Sequence, residues 1–146
     1  MVAVTQLCLE EPSPAYQDIE DAIPVFLQVI QRADKPSKII SPSLLAIWNI
    51  SEKSEDQIRT IIDSGFLPEI IEFMCHKSKS TKYFALCFAA KVAEGNELQK
   101  QYLIDNGVIE AILGLFKEKD ISTKREAVGA ISHLCCLLYT SDAADE

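Results

Sequence analysis

No apolar run in this sequence approaches the roughly 20 residues that a membrane-spanning helix requires; the longest, such as Phe84 to Ala90, are far shorter. No charged leader followed by an apolar stretch and a cleavage site opens the chain, so a soluble protein is expected. Histidine is scarce, at two residues, and neither sits in a motif that would pair it as a base with a cysteine nucleophile. No glycine-rich loop follows a strand, because no segment reads convincingly as a strand, and nucleotide binding has no local support. Basic residues are outnumbered, 14 against 22 acidic ones, and a formal charge of −8 leaves little from which to assemble a stripe for duplex nucleic acid. Catalysis, cofactor binding and a small-molecule substrate are therefore not expected.

What the sequence does have is apolar content, 48% of its 146 residues, enough for a continuous core in one domain or a few repeats. The five cysteines, Cys8, Cys75, Cys87, Cys135 and Cys136, are odd in number and sit mostly inside apolar runs. They suit small buried hydrophobes in a reducing compartment, and a cytoplasmic or nuclear location is expected.

Self-comparison reveals a period. Ile62-Asp-Ser-Gly65-Phe-Leu-Pro68-Glu-Ile70-Ile71-Glu-Phe73-Met74 lies over Ile104-Asp-Asn-Gly107-Val-Ile-Glu-Ala-Ile112-Leu113-Gly-Leu115-Phe116 at an offset of 42, apolar on apolar. A looser copy, Ala22-Ile-Pro24-Val-Phe26-Leu27-Gln-Val29-Ile30, precedes them. A second motif recurs downstream of each copy: Leu45-Ala-Ile-Trp48-Asn49-Ile50, Cys87-Phe-Ala-Ala-Lys91-Val92 and Gly129-Ala-Ile-Ser-His133-Leu134, again in steps of 42. Ala3-Val-Thr-Gln6-Leu-Cys8 fits the same motif, so the chain is expected to open inside a repeat already under way.

Each full period reads as three helices. Ser54 with Gln57 three residues on forms a capping-box pattern, and the helix it starts should end at Gly65, where a left-handed residue is needed. A second helix is expected from about Leu67 to Cys75, with Pro68 in its first turn. A third should begin after Ser78 or Ser80 and run through Val92, its upstream counterpart starting from a cap at Ser41 followed by Pro42. Phe84, Leu86, Phe88, Ala89 and Val92 go most of the way round that third helix, which implies neighbours on both sides.

Three helices in about 42 residues is a solenoid signature, since one repeat cannot bury its apolar faces alone. The stretch Ser54-Glu-Asp-Gln57-Ile-Arg-Thr-Ile-Ile-Asp63-Ser-Gly65-Phe-Leu-Pro68 resembles the first-to-second helix junction of armadillo repeats, particularly those of importin α. The resemblance spans residues 3 to 135. It implies an all-α, right-handed superhelical solenoid, with a partial repeat at 1–10 and repeats at about 11–52, 53–94 and 95–135. The last residues, 136–146, resemble an in-frame translation of a sequencing adapter and are expected to be a non-native tail.

The resemblance also implies a site. In armadillo proteins the third helices line a concave groove, and Gln6, Asn49, Lys91 and His133 fall at the ladder position that meets an extended peptide. An asparagine there can hydrogen-bond both N–H and C=O of a peptide backbone, and only Asn49 retains it. Importin α places a tryptophan four residues earlier, where this chain has Leu45, Cys87 and Gly129. Trp48 lies about 100° from Asn49 on the helix, a packing position rather than part of that channel. Lys82 and Lys124 are 42 apart, as are Tyr83 and Arg125, and with Lys91 at the ladder position they suggest a mildly basic groove for an acidic segment; ordinary solvated lysines are the alternative. Cys75-His76 and His133-x-Cys135 lack zinc-site spacing or have repeat explanations, so no metal is expected. The expected function is a non-enzymatic interaction scaffold for other proteins or extended peptide segments, acidic ones among them. The alternative is an importin α-like import adaptor for basic localisation signals.

Overall fold

A computed structural model of the chain describes residues 22–32, 38–52 and 54–144, so Gln6 lies outside the described residues. All regular structure among these is helical: α1 (Ala22–Arg32), α2 (Ile40–Ser51), α3 (Glu55–Asp63), α4 (Leu67–Phe73), α5 (Lys79–Ala93), α6 (Glu97–Asp105), α7 (Val108–Leu115) and α8 (Ile121–Ala144). The period is visible in the helix starts, since α6 begins 42 residues after α3, and α8 begins 42 after α5.

Helix ends follow the local chemistry. Gly65 and Gly107 take the left-handed backbone, φ +74° and +81°, and their N–H groups donate to Ile62 O (2.9 Å) and Ile104 O (3.0 Å). Ser78 caps α5, its side chain accepting from Thr81 N, which selects it over Ser80. Two expected caps differ. Ser54 accepts from Asp56 N at 3.2 Å, but the reciprocal bond is missing because Gln57 is buried and its Oε1 has no partner. The reciprocal box forms one period later, where Asn96 and Gln99 exchange bonds of 3.0 and 3.1 Å near the surface. The second correction is α2, which starts at Ile40 with Ile39 as N-cap and no side-chain cap bond, leaving Ser41 inside the helix. Ile40 is fully buried, and drawing it into the core sets the start earlier. Pro42 is still in the first turn, where a missing N–H costs no intrahelical bond. The second helix of the period, α4, ends at Phe73 rather than Cys75, with Met74 and Cys75 in a tight turn.

The chain divides into two compact units, residues 1–69 and 70–146. In the first, α1 packs on α2 and α2 on α3. Ile23, Phe26, Leu27 and Ile30 form the i, i+3, i+4, i+7 stripe of α1, and all are buried. Gln31 Nε2 donates to Glu69 Oε1 at 3.1 Å. In the second, α5 is the central element, packed against α6 and α8, while α8 also touches α7. Leu86, Phe88, Ala89 and Val92 of α5 are sealed from water, as expected of a helix with neighbours on both sides. Phe84 is the exception: half-buried, it meets Tyr83 edge-to-face, ring centroids 5.7 Å apart. α8 continues past Cys136 to Ala144 as one helix.

Candidate functional site

The third helix of each period is α2, α5 or α8, and every candidate groove residue among those described falls on one of these three. Spacing of four places each set on one face, one turn apart.

In the first unit, Leu45 and Asn49 are half-buried on α2. The Asn49 Nδ2 is itself buried and makes no hydrogen bond among the described residues. An unsatisfied buried donor costs about 1–3 kcal/mol, so any acceptor that reaches this amide would be favoured. Trp48 is half-buried beside it, and its carbonyl accepts from Ser51 Oγ at 2.6 Å.

In the second unit, Tyr83, Cys87 and Lys91 occupy successive turns of α5, and Arg125, Gly129 and His133 successive turns of α8. The Tyr83 hydroxyl is held protonated above its ordinary range, first by a hydrogen bond to the Cys87 sulfur and by charge on that group, then by burial and Glu126; Arg125 opposes this. α5 and α8 thus meet around Tyr83. Cys87 is buried beneath the face. Lys91 is half-buried and pairs with Glu94 Oε2 at 3.0 Å, so its charge is partly answered within its own helix end. Arg125 and His133 are exposed. At Gly129 an added Cβ would meet nothing within 4 Å, so the ladder carries open space where importin α-like repeats carry a tryptophan.

Next to this face, a cleft of about 350 Å³ runs between the start of α5 and the turn from α7 into α8. Lys79, Lys82, Tyr83 and Phe84 form one wall, Glu118 and Thr123 part of the other. Lys82 forms an ion pair with Glu118 across it. Asp120 accepts from both the backbone N–H and the hydroxyl of Thr123, each at 2.8 Å, and these bonds hold its carboxyl below the usual range. The Lys82–Glu118 pair and this cleft were not evident from spacing, because Glu118 lies in an irregular turn. The Asn96–Gln99 box could have been found, since it repeats the Ser54–Gln57 pattern 42 residues on.

Among the described residues, no three His, Cys, Asp or Glu side chains converge to hold a metal ion. No described helix is long and apolar enough to cross a membrane.

Residues 96–136 match the armadillo/β-catenin-like repeat family. The chain is similar to importin subunit alpha-3 of Arabidopsis thaliana, 28% identical over 125 residues, covering 85% of this chain and 23% of that protein. It is similar also to importin subunit alpha-1a of Oryza sativa subsp. japonica, 25% identical over 132 residues, covering 90% and 25%. The chain therefore spans about a quarter of the length of these relatives. Among solved structures, an engineered protein superposes with a TM-score of 0.79 at 20% identity, covering 90% of this chain and 32% of that one. A designed armadillo repeat protein in complex with the peptide (KR)4 superposes at 0.68 and 19% identity, covering 90% and 62%. The three-helix period is that of the armadillo repeat, and the chain is an all-α armadillo solenoid.

Proposed function

We propose that this chain is a non-enzymatic protein-interaction scaffold whose third helices present their ladder faces to extended peptide segments. The observation that carries the reading is Asn49, whose side-chain Nδ2 is buried without a partner at the ladder position. A peptide main chain supplies the missing acceptor, and its N–H can donate to the same amide's oxygen, so the peptide is held without reading its sequence. Lys91 and His133 follow on α5 and α8 at the same step, and Tyr83, Arg125 and the gap at Gly129 are where side-chain selection would occur. The importin α relatives and the peptide-bound designed protein support binding to proteins and peptides as the general role. A location in cytoplasm or nucleus is consistent with that role.

Import of basic signals is the weaker reading. A lysine stem needs an aromatic channel with acidic groups at its end. Leu45, Cys87 and Gly129 stand where the tryptophans would be, and the neighbouring side chains include Arg125 and Lys91.

The test is to select peptides against the immobilised chain from a random display library and measure their affinity for ladder variants. Asn49→Ala should weaken the selected peptides by about tenfold, the worth of one or two main-chain hydrogen bonds. Peptides whose affinity ignores Asn49, Lys91 and His133 alike would place the binding face elsewhere.

A further inference from the structure

The ladder face of the second unit is built on two packed helices, with Tyr83, Cys87 and Lys91 on α5 and Arg125, Gly129 and His133 on α8. The 42-residue offset pairs them in three rows, Tyr83 with Arg125, Cys87 with Gly129 and Lys91 with His133. The middle row is the shallow one. Cys87 is 3% exposed, and an added Cβ at Gly129 would have nothing within 4 Å. Long side chains occupy the rows on either side, so the middle row forms a notch. Arg125 and His133, both exposed, stand about 6 Å from Gly129 along the helix axis, one turn to each side.

The walls decide what fits. Val128, the preceding residue on α8, is 56% exposed, and the buried Cys87 is a small apolar group, so the notch favours an apolar occupant. The Tyr83 hydroxyl is bonded to the Cys87 sulfur, which fixes that phenol beside the middle row. A guanidinium and an imidazole stand to either side, planar groups that stack on a ring, and a cation among them is drawn to the ring's negative face. A lysine stem meets the opposite of what it needs. Arg125 and Lys91 carry its own charge, while Glu94 answers Lys91 and Glu126 faces Tyr83.

We infer that the notch at Gly129 takes an aromatic side chain of the bound peptide, seated over Cys87 beside Tyr83 and flanked by Arg125 and His133. The inference rests on the reading of the third helices as a peptide-binding face, and it names the residue class that the second unit selects. The arrangement reverses an aromatic channel around a lysine stem: here the chain brings the cation and the ligand brings the ring.

The test pans a random peptide display library on the whole chain and, in parallel, on Gly129→Leu, whose side chain occupies the notch. Peptides enriched on the parent chain should share Phe, Tyr or Trp at one fixed position, and Gly129→Leu should lose that enrichment. One enriched peptide is then synthesised with its aromatic residue kept or replaced by leucine, lysine or glutamate, and the affinities are compared. Leucine should bind about two- to fivefold more weakly, the worth of an exposed cation–π contact, and lysine about tenfold or more. Arg125→Gln together with His133→Gln should erase the preference for the ring over leucine. Circular dichroism checks that these substitutions leave the helices intact. Peptides that depend on Asn49 yet carry no fixed aromatic residue overturn this inference alone, as does an aromatic preference that persists in Gly129→Leu. A glutamate peptide that binds more tightly than the aromatic one overturns it in favour of selection by charge. A library that yields no binder overturns it together with the groove reading.

Discussion

Leu86 of α5 and Val128 of α8 occupy the same place in two successive repeats, 42 residues apart, yet Leu86 is fully buried while Val128 is 56% exposed. The same contrast holds between Ile71 and Leu113, at 8% and 55%. α6 and α8 pack against α5 and account for the burial of its apolar ring. In armadillo repeats, sequence periodicity thus specifies a side chain's role in stacking, but stacking itself decides whether that side chain is out of water.

This relationship predicts unequal costs for equivalent truncations. Leu86→Ala should destabilise the chain by about 2–5 kcal/mol, because it removes buried methyl groups and leaves a cavity. Val128→Ala should change stability by no more than about 0.5 kcal/mol. Urea midpoints of the two variants, measured side by side, check the difference. Equal losses would show that Val128 is covered in solution.

The glycines should respond in opposite directions. Gly107 has φ +81°, a conformation that a Cβ disfavours, so Gly107→Ala should cost roughly 1–2 kcal/mol. Gly129 lies inside α8 with open space where a methyl group would stand, so Gly129→Ala should gain about 0.5–1 kcal/mol through helix propensity. If the gap at Gly129 receives a ligand side chain, the stabilised variant should also bind selected peptides more weakly. Thermal melts and peptide titrations on the same preparations separate the two effects.

Asp120 should contribute a pH-dependent term. The two bonds from Thr123 favour its charged form and depress its carboxyl in the folded state. A depressed carboxylate stabilises the fold above the ordinary Asp range, near about 3.9, and that contribution disappears as pH falls through the lower folded value. Asp120→Asn should therefore be less stable than the parent chain at neutral pH, with the gap closing below about pH 4. Denaturation midpoints across that range check the sign. A gap that stays constant down to about pH 2 would mean that neutral cap geometry, and not charge, supplies the effect.

Much of this chain was determined locally. The period of 42, the three helices of the periods at 53–94 and 95–135, the left-handed turns at Gly65 and Gly107 and a cap at Ser78 or Ser80 all follow from apolar spacing and residue-specific backbone preferences, which act within a few residues. The candidate face was legible for the same reason: four-residue spacing along one helix brings Tyr83, Cys87 and Lys91 to one side without help from the rest of the fold. Tertiary structure decided what depends on a neighbour. Burial pulled Gln57 out of its capping box and Ile40 into α2, because removing an apolar or amphipathic side chain from water outweighs a single cap bond. Packing of α8 against α5 brought Arg125 and Glu126 to Tyr83, and the turn before α8 joined Glu118 to Lys82 across the cleft. The contrast between Leu86 and Val128 is of that second kind, for two apolar residues at one periodic position differ in what is packed against them.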